Sequence, residues 1–388
     1  MYKYIFLFFY IMLITEPVFS QKTKEPNVEW IVAASLQDVE GNISLGFAGA
    51  INAVHNNVLI VAGGANFPDK MPWDGGKKYY SNEIHVLQKS ADGFHWNKRM
   101  KEPLPEPIAY CGNTSTPAGV VYVGGENDKG LSKKAYRINW DNHKHKVTVI
   151  QLPDLPIAVT NIALTSIGNV VYAIGGDLPK RSTDAFFSLD LNEQNPVWKV
   201  LPNLPVAMGN SVAVVQKDKA GTNIFVIGGR TKTASGISDL HSTTYVYDVN
   251  RENWQEVAPI SDGKNVTNFS AGAGVGIGDR WILITGGDNG KTFHKIENYL
   301  AQIAQTEDVE VKARLVKEKN ELSIHHRGFY RGMLLYNTMT NKWSKIGELP
   351  FSAQVTTTAT MWNGNIVLSN GEVKPGIRTP NVMLGLIK

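Results

Sequence analysis

Short apolar runs ending in a pair of small residues recur along this chain: NVLIVAGG (Asn57 to Gly64), GVVYVGG (Gly119 to Gly125), NVVYAIGG (Asn169 to Gly176), NIFVIGG (Asn223 to Gly229), WILITGG (Trp281 to Gly287) and NIVLSNG (Asn365 to Gly371). Each has the length and β-branched character of a buried strand. A glycine pair ends such a strand without steric cost, because it takes positive φ and lets neighbouring backbone approach. The first members of the pairs fall at 63, 124, 175, 228, 286 and 370, so the steps are 61, 51, 53, 58 and 84. After most pairs an aromatic strand leads to a tryptophan: Trp96, Phe187 with Trp198, Tyr247 with Trp254, Tyr336 with Trp343. Prolines in LPDLP (Leu152 to Pro156), LPNLP (Leu201 to Pro205) and ELP (Glu348 to Pro350) follow the outer strands, where a missing amide donor does least harm.

Repeats near 50 residues carrying these marks are the blades of a kelch-type propeller. Six pairs predict six blades. The residues after Asn370 and those from Val28 to Gly63 together make one further repeat length. The ring therefore closes on itself: a C-terminal strand around Asn381 to Leu386 is expected beside an N-terminal strand around Val28 to Ala34, with Trp30 in the aromatic position. Closure removes the open sheet edges that would otherwise aggregate. The expectation is an all-β chain with one six-bladed domain over residues 21–388.

The longest step holds the one clear helical pattern, with Ile296, Tyr299, Leu300 and Ile303 at i, i+3, i+4 and i+7. This predicts a helical insertion over about residues 291–327, on the end of the ring where the diglycine loops emerge. His325, His326 and Arg327 close it. Adjacent histidines point in different directions and no third ligand is spaced with them, so no metal site is expected.

Composition narrows the chemistry. The 388 residues are 43% hydrophobic and 19% charged with a formal net charge of +4, too mild a balance for nucleic acid as partner. Cys111 is the only cysteine, which rules out an internal disulfide. At the N-terminus Lys3 precedes an apolar run from Ile5 to Ile14, then Val18, Phe19 and Ser20. This is the pattern of a secretory signal over residues 1–20, cleaved after Ser20, and it points to an exported, periplasmic protein with no membrane attachment after cleavage. The apolar run is shorter than the ~20 residues a span needs.

In a propeller, equivalent loop positions converge on the central channel, so the residues after the six pairs should form one ring: Ala65, Glu126, Asp177, Arg230, Asp288 and Glu372. Five of the six ionise. Gly-Asp is also a common turn pair, which by itself accounts for Asp177 and Asp288. Glu372 has no special turn role and is followed six positions on by Arg378, with Pro375 and Gly376 making a bend between them. That bend can return Arg378 beside Glu372. A carboxylate and a guanidinium at the mouth of a polar channel suit an acidic sugar: the guanidinium would grip the substrate carboxylate with two parallel hydrogen bonds and the glutamate would move protons. A surface ion pair bracing the turn is the alternative reading.

The run NGEVKPGIRT (Asn370 to Thr379), together with AGGANFP (Ala62 to Pro68), LPEPIAYCG (Leu104 to Gly112) and the helical insertion, resembles the N-acetylneuraminate epimerase, or sialic acid mutarotase, family of kelch propellers. In that family the Glu and Arg motif lies in mid-chain and the GGANFP motif follows it. Here the order is cyclically shifted, which a closed ring tolerates because blade neighbours are unchanged. The stretch from Asp69 to Tyr80 is shorter than in that family. The resemblance implies an enzyme interconverting the α and β anomers of N-acetylneuraminate with no cofactor and no metal. It implies Glu372 as proton acceptor with Arg378 as its companion. Arg378, Asn66 and, from the ring of loop positions, Glu126, Asp177, Arg230 and Asp288 are the expected substrate-binding residues. A propeller that only binds a carbohydrate or protein partner is the alternative. A sialidase would need an arginine triad and repeated Asp-box turns, and SADGFHW (Ser90 to Trp96) half matches one such turn. A copper radical oxidase would need a histidine pair beside Tyr110 and Cys111.

Overall fold

Strands of alternating or continuous apolar character, cut by tight turns, assemble into six four-stranded antiparallel sheets among the described residues. The computed structural model describes residues 24–38, 40–97 and 102–388. The expected signal segment over residues 1–20 lies outside them. Blade 1 runs outward from the channel as Ile51–His55, Val58–Ala62, Ile84–Ser90 and Gly93–Trp96. Blade 2 begins at Gly112–Thr116, blade 3 at Ala163–Ile167, blade 4 at Val212–Asp218 and blade 5 at Ala273–Ile277. Blade 6 joins Ala359–Trp362, Asn365–Ser369 and Asn381–Ile387 to the N-terminal strand Val28–Ser35. There Val28 pairs with Ile387 and Ser35 with Asn381, so the two ends share one sheet as the repeat arithmetic required. The six innermost strands touch in a circle, the last against the first.

The core is not central. It lies in layers between adjacent blades, each built from the facing sides of two sheets: Ile60 and Val86 meet Tyr122 and Trp140 between blades 1 and 2, and Val367 and Leu384 meet Leu59 and Leu87 between blades 6 and 1. Outer-strand tryptophans tie the layers together. The indole N–H groups of Trp198, Trp254 and Trp343 donate to the carbonyls of Pro153, Pro202 and Ala258 in the preceding blade. Trp30 fills the expected slot in blade 6 with a different partner, its indole N–H facing Met333 Sδ at 3.3 Å and its ring edge-on to Phe351.

The small-residue pairs sit where blades come closest. Gly228 has φ of 61°, and a Cβ there would lie 2.1 Å from the Phe269 carbonyl oxygen of the next blade. Asn370 holds the same slot with φ of 59°, an angle asparagine tolerates better than most residues. Its Oδ1 accepts the Phe47 amide at 3.1 Å.

The insertion folds as two helices, α1 (Phe293–Gln305) and α2 (Val309–Ile324), close to the expected limits. Asp308 caps α2 by accepting from the amides of Glu310 and Val311. Glu297 of α1 accepts from the amide and hydroxyl of Ser238 in the blade 4 loop, at 2.8 and 2.7 Å. Asn320 of α2 donates to the carbonyl of Trp73 in the blade 1 loop. The helix pair thus spans one side of the channel mouth. Among the described residues no helix is long and apolar enough to cross a membrane.

Candidate active site

The six residues that follow the pairs are structurally equivalent. Ala65, Glu126, Asp177, Arg230, Asp288 and Glu372 each form an isolated antiparallel bridge, with Ala48, Ala109, Thr160, Gly209, Ser270 and Val355 respectively. Next to those partners runs a second ring that sequence reasoning missed. Gly49, Tyr110, Asn161, Asn210, Ala271 and Thr356 all take left-handed φ, between 51° and 65°. Each donates its amide to the carbonyl of the one before it, and Gly49 donates to Thr356, so six hydrogen bonds of 2.7 to 3.0 Å close a hoop around the mouth. The two asparagines were the available signal, since asparagine is enriched at positive φ.

Symmetry places the backbone, and side-chain direction then separates the six. Arg230, Asp288 and Glu372 line one cavity of about 280 Å³ beneath the helix pair, joined by Phe293 and Ile296 of α1 and by His326 just after α2. The Pro375 and Gly376 bend returns Arg378 opposite Glu372 in a two-stranded hairpin. Glu372 Oε1 accepts from Arg378 Nη1 at 2.9 Å and from the Gly376 amide at 2.6 Å. Among the described residues Oε2 has no hydrogen-bond partner, and it belongs to a residue that faces the cavity.

Three of the expected site residues are engaged mainly by the protein itself. The Arg378 side chain is only 4% exposed. Its Nε donates to the Ala65 carbonyl at 3.3 Å and its guanidinium lies 5.0 Å from the Phe67 ring. Nη1 thus braces Glu372 while Nε holds the Ala65 carbonyl. Asp177 is fully buried and cannot contact a ligand. Its Oδ2 is held by Arg230 Nη2 at 2.9 Å and Asn161 Nδ2 at 3.0 Å, and its Oδ1 by the Ser182 hydroxyl at 2.8 Å. Asn66 is buried outside the cavity, with Nδ2 donating to the Gly46 carbonyl.

Glu126 stands apart from the cavity. Its Oε1 accepts from Lys78 Nζ at 3.2 Å and from the Tyr80 hydroxyl at 2.9 Å, and Lys78 lies 5.0 Å from the Tyr110 ring. Burial opposes the charge on Lys78, but Tyr110, Glu126 and Tyr80 outweigh it and hold the ammonium charged. Burial is also the main reason that the Tyr80 phenol is pushed up to about 12, which keeps it a donor. The short Asp69 to Tyr80 stretch thus closes on Glu126 from blade 1.

Inside the cavity, charge is uneven. Asp177 is shared by Arg230 and, at 3.8 Å, by Lys232, which leaves an excess of positive charge beside the cavity wall. Asp288 accepts the Gly290 amide at 2.6 Å, so it does serve its turn, while burial raises its pKa. Burial lowers the pKa of His326, with Asp288 and Glu372 pulling the other way. Among the described residues no three His, Cys, Asp or Glu side chains could hold a metal ion.

The family model for N-acetylneuraminate epimerase matches residues 152–388, well over half the chain. This chain belongs to the N-acetylneuraminate epimerase family. The match contains Arg230, Asp288, the helix pair and the Glu372 hairpin, whereas the AGGANFP run precedes it. An N-acetylneuraminate epimerase of Brucella melitensis is 30% identical over 239 residues, which are 61% of this chain and 59% of that protein. One of Haemophilus influenzae is 28% identical over 233 residues, 60% of this chain and 58% of its own. One of Salmonella typhi is 30% identical over 230 residues, 59% and 56%. The chain thus spans less than two thirds of the length of these relatives. The solved "Structure of YjhT" superposes with a TM-score of 0.59 at 14% identity, covering 88% of this chain and 97% of that one, and supports the propeller architecture.

Proposed function

We propose that this protein accelerates the interconversion of the α and β anomers of N-acetylneuraminate, an isomerase activity on a free acidic sugar. The observation that carries it is Glu372, which lines a cavity together with Arg230: one carboxylate oxygen is pinned by Arg378 and the Gly376 amide, and the other has no partner among the described residues. A pinned carboxylate keeps its free oxygen in one place, which is what proton transfer from a bound hydroxyl needs.

The steps follow from the geometry. The sugar carboxylate sits against Arg230, whose second edge is held by the buried Asp177, so the guanidinium is already oriented when the ligand arrives. Glu372 Oε2 takes the proton of the anomeric hydroxyl. The bond from the anomeric carbon to the ring oxygen breaks, its electron pair goes to that oxygen, and the anomeric carbon becomes a ketone. Rotation about the bond to the open chain presents the other carbonyl face. Closure runs the same transfers in reverse. Phe293 packs 5.9 Å from the Arg230 guanidinium and, with Ile296, keeps that wall of the cavity apolar.

The test is proton NMR of freshly dissolved β-N-acetylneuraminate with the purified protein. Equilibration much faster than in buffer is expected; an unchanged rate with ligand shifts still present would leave a binding propeller in its place. An exported setting belongs to this reading and is supported by Lys3 and the apolar run Ile5 to Ile14. Protein recovered from cells should begin at Gln21, and a retained Met1 would remove that part.

A further inference from the structure

His326 is a cavity group whose tautomer the backbone dictates. The Gly328 amide donates to Nδ1 at 3.0 Å, so Nδ1 is an acceptor and the neutral ring carries its proton on Nε2. Among the described residues no hydrogen bond engages Nε2. The residue is 7% exposed, lies 5.1 Å from the Phe329 ring in a tilted arrangement, and lines the same cavity as Glu372. Its neighbour His325 points outward to Glu321. An N–H donor on a cavity-lining residue that makes no bond within the protein is available to a ligand.

We propose that His326 Nε2–H donates a hydrogen bond to the sugar ring oxygen as that oxygen becomes anionic on ring opening, a role that rests on the mutarotase reading above. His326 keeps its proton throughout. Glu372 Oε2, having taken the proton from the anomeric hydroxyl, delivers it to the ring oxygen, so the catalytic groups return to their starting state. A donor placed where charge develops, in a site shielded from water, acts on turnover more than on binding. The insertion thereby supplies a reacting group as well as a wall.

Asp288, Glu372 and Lys374 are the ionisable groups acting on the imidazole, the two acids favouring its charged form and Lys374 opposing it. Burial outweighs the acids, so the neutral ring prevails above the lowered pKa; below it the ring keeps Nε2–H but loses the Nδ1 acceptor that holds it to the Gly328 amide. An imidazolium would also turn Nδ1 into a donor facing the Gly328 amide.

The experiment compares wild type with His326→Leu and His326→Gln by anomer exchange across pH, with thermal unfolding as a control on folding. Expected for His326→Leu is a kcat about 10²-fold lower with KM little changed. His326→Gln, which restores an N–H donor, should recover most of that loss and should lack the part of the acid-side decline that belongs to the imidazole. If both folded variants turn over like wild type, or if both lose activity equally with an unaltered pH profile, the role is overturned while the mutarotase reading stands. If wild type itself does not accelerate exchange, both fall together.

Discussion

Glu372 and Glu126 occupy equivalent positions of one sixfold ring, make the same backbone bridge, and are each anchored through Oε1 by two donors. They differ in what anchors them and in what covers them. Glu372 is held by a buried guanidinium and a backbone amide, both fixed by the hairpin. Glu126 is held by a lysine on a flexible stem, about a third exposed, and by a tyrosine hydroxyl. Glu372 shares its cavity with Phe293 and Ile296 of α1, whereas Glu126 meets the short blade 1 loop. Under the proposed function, equivalent backbone yields a base on one side and a tether on the other, and the deciding factor is rigidity of the anchor.

Three substitutions test this contrast. The largest effect is expected for Glu372→Gln, which keeps size and hydrogen bonding but removes the base: exchange should slow by about 10³-fold with thermal unfolding near wild type. Wild-type turnover in that variant would dissolve the distinction between the two glutamates. Next comes Arg378→Met, which leaves Glu372 without its ionic brace. It should slow exchange by about 10²-fold through misplacement and lower unfolding free energy by about 3 kcal/mol, since one member of a largely buried pair is gone. A loss seen only in KM would show that Arg378 meets the substrate after all. Smallest is Glu126→Gln, for which turnover should be unchanged and stability should fall by less than about 1 kcal/mol; a large drop in kcat would place a second reacting group on the tethered side.

The architecture was legible because it is written in periods. Spacing of the small-residue pairs set the number of blades, and the shared repeat length of the two ends demanded that Val28–Ser35 pair with Asn381–Ile387, which it does. Pro375 and Gly376 announced the hairpin that unites Glu372 with Arg378. What could not be read was the direction of side chains from equivalent backbone. Ring symmetry places the Cα of Asp177 beside those of Arg230 and Asp288, yet Asp177 turns inward to Ser182 and Asn161. Arg378 likewise turns toward Ala65 and Phe67, because the loop holding them comes from the far end of the chain and its approach has no local signature. His326 was visible only as one of two adjacent histidines, because its tautomer depends on a single backbone amide two residues on.

The hoop of amides formed by Gly49, Tyr110, Asn161, Asn210, Ala271 and Thr356 has neither a first nor a last member. Tension applied at any one of them is handed to both neighbours and travels the whole circumference. The seam where the two chain ends are stitched together lies inside blade 6, so the polypeptide itself crosses all six blade junctions and the hoop is bridged by continuous chain at every step.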